Sequence, residues 1–228
     1  MARAHIVTSY DADLGRLIET ILEMGALAET ALADAITALN GRDAAAAARV
    51  IDNDLRLDEL EEAVDQHALR LFARRQPMAE DLRLIAMSLK ISNDLERIGD
   101  YAASIAKRAK RLTAEAPPRA TASLERMGAC LEEMLADVLA AYRRRDTRQA
   151  MRVWHRDSEV DDIYDSVFRE LLDELQADPR ATSAGIDLLF IAKNLERIGD
   201  HTTNIAERVH YIVHGDRINR MRNAPAPV

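Results

Sequence analysis

The sequence predicts an all-α protein built as two tandem three-helix bundles related by internal duplication. Three observations predict it. The chain is rich in helix formers, with 39 alanines and 26 leucines among 228 residues, and holds only three Phe, five Tyr and one Trp. Its six prolines, at 77, 117, 118, 179, 225 and 227, leave long proline-free segments between them. The hexapeptide LERIGD at 95–100 returns letter for letter at 195–200.

Breakers and capping residues divide the chain into six helices, at roughly 11–39, 43–75, 79–114, 120–144, 146–177 and 181–214. Asn40-Gly41-Arg42-Asp43 separates the first from the second, with Asp43 as the N-cap of the second. Leu57, Leu60, Val64, Ala68 and Leu71 give that helix one apolar face. A turn near Pro77 leads into the third, where Leu84, Ile91, Leu95, Ile98, Ala102 and Ile105 recur at steps of three, four and seven. Pro117-Pro118 is the natural midpoint. Asp146-Thr147 divides the fourth helix from the fifth as Asp43 divides the first from the second, and Asp178-Pro179 turns the fifth into the sixth.

The duplication covers more than the hexapeptide. Met24-Gly25-Ala26 returns as Met127-Gly128-Ala129 and Leu32-Ala33-Asp34 as Leu135-Ala136-Asp137, at an offset of 103 that also carries Asp43 onto Asp146. After the proline turn the offset becomes 100. Residues 1–115 are therefore expected to form one bundle, and 116–228 a second with a short C-terminal tail.

A formal net charge of −8 argues against nucleic acid as a partner. Lone Cys130 rules out an intrachain disulfide and any Cys-cluster metal site. No secretory h-region and no run of 18 apolar residues is present, so a soluble protein of a reducing compartment is expected.

Carboxylates recur four apart, and they recur in register. Asp54 and Asp58, Glu96 and Asp100, Asp157 and Asp161, and Glu196 and Asp200 each share a helix face at the flank of the apolar stripe. Asp58 and Glu96 each lie 19 residues from Pro77, and Asp54 and Asp100 each 23, so antiparallel helices bring the pairs to one level. Asp161 with Glu196, and Asp157 with Asp200, repeat this in the second half. At ~5 Å and an effective dielectric near 20, each like-charge contact costs about 3 kcal/mol. A hard cation such as Mg²⁺, Mn²⁺, Ca²⁺ or iron would turn that repulsion into binding; structural zinc prefers Cys and His. The alternative is a set of solvated acids answering nearby arginines. Glu61 and Asp65 form a fifth pair on nearly the same face, but their repeat mates are Tyr164 and Phe168. They are runner-up ligands or an outer shell.

LERIGD followed by YAASIAKRA, its second copy NLERIGDHTTNIAERV, and RRQPMAEDLRL at 74–84 resemble the duplicated signature of the PhoU family. The resemblance spans nearly the whole chain. It implies a six-helix PhoU-like fold and a cytoplasmic, homodimeric negative regulator of phosphate uptake. Such a protein would couple the ATPase subunit of a phosphate ABC transporter to a sensor histidine kinase, touching the membrane only through those partners. It also implies multinuclear metal clusters, of iron, zinc or Mg/Mn, on Asp54, Asp58, Glu96 and Asp100 and on Asp157, Asp161, Glu196 and Asp200. His201 and Asn204 replace Tyr101 and Ser104 of the first copy, so the two clusters are free to differ.

Enzymatic alternatives are narrower. Paired carboxylates with two metals would suit a phosphoester hydrolase. Glu207 and His210 make one E-x-x-H step, whereas ferritin-like di-iron oxidases need two, and position 107 of the first copy is Lys107. No phosphate-binding glycine loop, nucleophile elbow or Ser/His/Asp arrangement is present. An enzyme is not required by any of these features. Gly99 and Gly199 inside the hexapeptides point to close helix packing, Trp154 to a core or dimer contact, and Cys130 to a small core position.

Overall fold

The proline-free, Ala- and Leu-rich segments become seven helices in a computed structural model that describes residues 2–41, 43–75, 79–112, 121–177, 182–216 and 218. They are α1 (Ala2–Gly41), α2 (Ala44–Arg75), α3 (Ala79–Leu112), α4 (Thr121–Arg144), α5 (Thr147–His155), α6 (Asp157–Ala177) and α7 (Thr182–His214). Among the described residues there is no strand. The turns expected at Pro77, Pro117-Pro118 and Asp178-Pro179, Arg42 of the first break, and the C-terminal tail beyond 218 lie outside the described residues.

Two elements differ from the sequence reading. The first helix begins at Ala2 rather than near 11, because ARAHIVTSYD contains no proline or glycine to stop it. At 40 residues it is about 60 Å long. The fifth helix is interrupted at Arg156, giving α5 and α6. There the backbone tightens by one residue, with Arg156 N–H donating to Val153 O at 3.0 Å. The Arg156 guanidinium reaches Glu133 and Glu159, both at 3.1 Å, and so fastens the break to α4 and α6. Its repeat mate, Asn53, lies inside the unbroken α2.

Both expected N-caps form. Asp43 Oδ1 accepts from the amides of Ala45 and Ala46, and Asp146 Oδ1 from those of Arg148 and Gln149. The amides of Ala46 and Ala45 hold the Asp43 carboxyl below its ordinary pKa, and those of Gln149 and Arg148 do the same for Asp146. Just before each cap the preceding helix closes with the same long-loop bond, Asp43 N–H to Ala38 O at 3.2 Å and Asp146 N–H to Ala141 O at 2.9 Å. Duplication thus extends to the hydrogen bonds at the turns. At the far end, α7 stops at Gly215, whose φ of 75° suits glycine, and Arg83 of α3 donates to the exposed carbonyls of Ile212 and Val213.

Helices α1, α2 and α3 pack mutually, as do α4, α6 and α7, with α5 against α4 and α7. The two groups meet along α3 with α7 and α1 with α4, and their buried side chains form one continuous cluster. The α1–α4 crossing is reciprocal. A Cβ on Gly25 would stand 2.5 Å from Leu139 Cδ2, and a Cβ on Gly128 would stand 2.7 Å from Ile36 Cγ1. Gly25 and Gly128 are repeat mates, and so are Ile36 and Leu139, so each half offers the other the same notch and the same knob.

The α3–α7 seam is polar where the sequence reading did not look. Asp94, buried within the apolar face of α3, places Oδ1 2.9 Å from His201 Nδ1 and Oδ2 2.7 Å from an Arg208 nitrogen. Asn194 donates to Ser104 Oγ at 3.0 Å, and Arg108 and Arg111 both pair with Asp187. Repeat mates Tyr101 and His201 touch each other, ring centroids 5.8 Å apart, which places them on the pseudo-twofold axis. The two LERIGD segments have matching burial, with Leu95, Ile98, Leu195 and Ile198 fully buried.

Candidate metal-binding faces

Each acidic face lies across one packed helix pair, α2 with α3 and α6 with α7. On α2 and α3, Asp54 has Asp100 of the facing helix and Asp58 of its own as neighbours, and Glu96 has Asp100 and Glu61. Gly99 sets the separation of these helices, since a Cβ there would fall 2.2 Å from Leu57 Cδ1 and 3.7 Å from Asp54 Oδ1. Val160 and Leu131 press on Gly199 in the same way at 3.2 and 3.4 Å. Both hexapeptide glycines therefore serve close packing, as expected, and the first also brings α3 up to an Asp54 oxygen.

Electrostatics follow from that crowding. Burial, then Asp100 and Glu61, push the Glu96 carboxyl up to about 7, with Arg97 opposing. Burial, then Asp100 and Asp58, raise Asp54 above its ordinary value. In the second half partial desolvation of the surface Asp161, then Glu196, Asp165 and Asp162, raise its pKa. Burial, then Glu196 and Asp161, raise Asp200, which Lys193 and His201 partly offset. Asp157 occupies the first turn of α6, half-buried, where the helix N-terminus favours its charge.

The side chains as placed answer one another with the protein's own cations. Arg97 sits 3.0 Å from Asp100 and 3.4 Å from Glu96, and Lys193 sits 2.6 Å from Glu196. Among the described residues no group of three or more His, Cys, Asp or Glu is arranged to hold one metal ion. The donor set nevertheless fits a hard cation. Glu96 Oε2 and Glu196 Oε2, at equivalent positions, are both buried oxygens, each answered by one basic neighbour, Arg97 at 3.4 Å and Lys193 at 2.6 Å. A buried carboxylate oxygen repeated in both halves is a hard donor that a cation would share with, or take over from, Arg97 and Lys193.

Protonation can be checked without metal. In metal-free protein Glu96 binds its proton more tightly folded than unfolded, so stability should fall as pH rises from 4.5 to about 7. Denaturant midpoints across that window should show the fall. Glu96→Gln should flatten it and exceed the parent protein in stability at the upper end. An unchanged slope would place the proton elsewhere.

Other residues singled out from sequence have different work. Glu61 stands beside Glu96 and accepts from Asn93 at 3.3 Å, so it joins the first face as an outer member. Glu207 accepts from Trp154 Nε1 at 3.1 Å, while His210 is buried with Nδ1 3.1 Å from Asp216 O. That E-x-x-H step serves packing at the end of α7, which removes the ground for a di-iron oxidase. Trp154 packs against the core, and Cys130 is buried within it.

Comparison with known proteins adds a third kind of observation. Residues 21–109 and 124–209 each match the family model described as the PhoU domain. The chain is 48% identical over 219 residues to a phosphate-specific transport system accessory protein PhoU homolog of Caulobacter vibrioides, covering 96% of this chain and 95% of that one. It is 44% identical to the homolog of Rhizobium meliloti, with 94% and 91% covered. The crystal structure of PhoU from Pseudomonas aeruginosa superposes with a TM-score of 0.88 at 38% identity, covering 91% of this chain and all of that one. The phosphate transport system regulatory protein PhoU from Streptococcus pneumoniae superposes at 0.85 and 29%, with 92% and 99% covered.

Proposed function

Because the chain belongs to the PhoU family, we propose that it is an accessory regulator of phosphate transport that acts by docking and catalyses no reaction. The observation that carries this is the pairing of two family domains with two equivalent acidic faces, each holding a buried glutamate oxygen at the same repeat position. Its relatives are named as accessory and regulatory proteins of a phosphate transport system. No described helix is long and apolar enough to cross a membrane, which suits a protein that reaches the bilayer through a partner, on its cytoplasmic side.

In this reading Asp54, Asp58, Glu96 and Asp100 hold one cation cluster, and Asp157, Asp161, Glu196 and Asp200 the other. Bound cations supply positive charge and open coordination positions on otherwise acidic surfaces. Iron and Mg/Mn agree best with all-oxygen donors. The loaded faces meet the transporter's ATPase subunit and a sensor histidine kinase, and repress the phosphate-starvation response when phosphate is plentiful. The protein works as a homodimer.

The test combines Glu96→Gln/Asp100→Asn with Glu196→Gln/Asp200→Asn. This variant should fold and melt at or above the parent temperature, because like-charge repulsion is removed. It should lose metal by elemental analysis and fail to repress a phosphate-responsive reporter in a strain lacking the native protein. Normal repression by a folded, metal-free variant would sink the proposal.

A further inference from the structure

We propose that the outer face of α6 is a docking surface for an amphipathic helix of a partner protein, one whose apolar residues are followed a heptad away by Lys or Arg. The inference begins with a difference between the two repeats. On α2 the outward stripe reads Asp58, Glu62, Asp65, Leu69; at an offset of 103 the α6 stripe reads Asp161, Asp165, Phe168, Leu172. The steps of four, three and four keep each set on one helix face. An acid of the first repeat has thus become an exposed aromatic in the second.

That aromatic is not stored in the core. Phe168 is 40% exposed and Leu172 38%, adjacent on one stripe, with the half-buried Tyr164 ring 6.4 Å from that of Phe168. Phe168 and Leu172 are two large apolar side chains left side by side at the surface of a helix otherwise dense in acids. Next to them, one turn and two turns toward the start of α6, stand the exposed Asp165 and Asp161, with Asp162 alongside. Basic groups of the chain close to this face are few. Lys193 lies over the Tyr164 ring but is engaged with Glu196, and Arg169 donates to the backbone of Asp165.

Charge complementarity selects the occupant. An anionic bilayer would be repelled by Asp161, Asp162 and Asp165. A second copy meeting this face about a twofold would set Asp161 and Asp165 against Leu172 and Phe168, or against each other, and in neither case supplies a basic partner. A helix laid along α6 with apolar residues at i and i+4 over Phe168 and Leu172 satisfies both halves of the stripe if it carries basic residues near i+7 and i+11. The centres of the two halves of the stripe are seven residues, about 10 Å, apart on α6. Aromatic anchors beside a charged rim are the usual composition of a binding hot spot.

This deepens the accessory reading by naming the partner chemistry, and its test needs neither metal nor repression, so either can fail alone. The probe is a fluorescein-labelled peptide of roughly 18 residues, with Leu at i and i+4 and Arg at i+7 and i+11 on an Ala/Gln background, titrated with full-length protein in chelator. Phe168→Ser/Leu172→Ser should weaken binding about tenfold or more, and Asp165→Asn should weaken it less while flattening its salt dependence. Leu69→Ser, the repeat-mate control, should leave it unchanged; circular dichroism checks that each variant folds. The proposal is overturned if the peptide does not bind, if a scrambled peptide binds equally, or if Leu69→Ser matches the double variant. It is equally overturned if the double variant instead loses binding to phosphatidylcholine–phosphatidylglycerol vesicles, or turns a sedimenting dimer into monomer.

Discussion

Arg208→Met should cost the protein about 3–5 kcal/mol of stability, a fall of roughly 10 °C in melting temperature for a chain of this size. Asp94 is 3% exposed, and among the described residues its two oxygens meet His201 and Arg208 across the α3–α7 seam. Removing the guanidinium leaves a buried carboxylate with His201 Nδ1 at 2.9 Å and without its arginine. The loss measures that abandoned charge and not the net worth of the pair, which desolvation keeps small. Asp94→Leu combined with Arg208→Met should therefore recover most of the stability. Thermal and urea unfolding of the two single variants and the double variant decide it. A single-variant loss under 1 kcal/mol, the size of an exposed ion pair, would mean that water reaches Asp94.

The second large effect lies at the α1–α4 crossing. Gly25→Leu should destabilise by about 3 kcal/mol, because the branched side chain must enter space already held by Leu139. A gain in helix propensity of about 1 kcal/mol opposes this and is too small to win. The same substitution at Gly128 should behave alike against Ile36. Leu139→Ala added to Gly25→Leu should restore part of the loss, whereas Ile36→Ala should not. Equal rescue by both would show that the two notches are not separate sites.

Periodicity and punctuation made most of the fold legible. Asp43 and Asp146 were readable as caps because a short acid after a breaker has one preferred use, and LERIGD exposed the duplication because identity of six residues survives any uncertainty in helix ends. The start of α1 was not readable, since residues 2–10 carry no proline or glycine that would separate helix from tail. The break at Arg156 was hidden for the opposite reason: arginine is a good helix former, and only its tertiary pairing with Glu133 and Glu159 favours a tightened turn there. The spacing about Pro77 predicts which acids share a level, with Glu61 and Asp65 as runner-up ligands or an outer shell; in the structure Asp54 lies near Asp100 and Glu96 near Glu61. Asp94 was missed, although an acid at the step between Ile91 and Ile98 of a buried stripe is itself a signal. A charge on an apolar face implies an opposite charge on the face that meets it, and Arg208 on α7 was there to be found.

Gly25 receiving Leu139 while Gly128 receives Ile36 has a bearing on what the covalent link between the halves contributes. Contacts that exchange under a half-turn are those by which two separate copies of one repeat would associate, so the shape of the joint is already encoded in each half. Joining the halves in one chain then adds local concentration, in the millimolar range for a short tether, and removes the diluting search for a mate. Freed from self-recognition, the two copies could diverge at Asp94 and Asn194, Tyr101 and His201, Asp65 and Phe168. A symmetric ancestor would carry one surface twice; the fused chain carries two surfaces once.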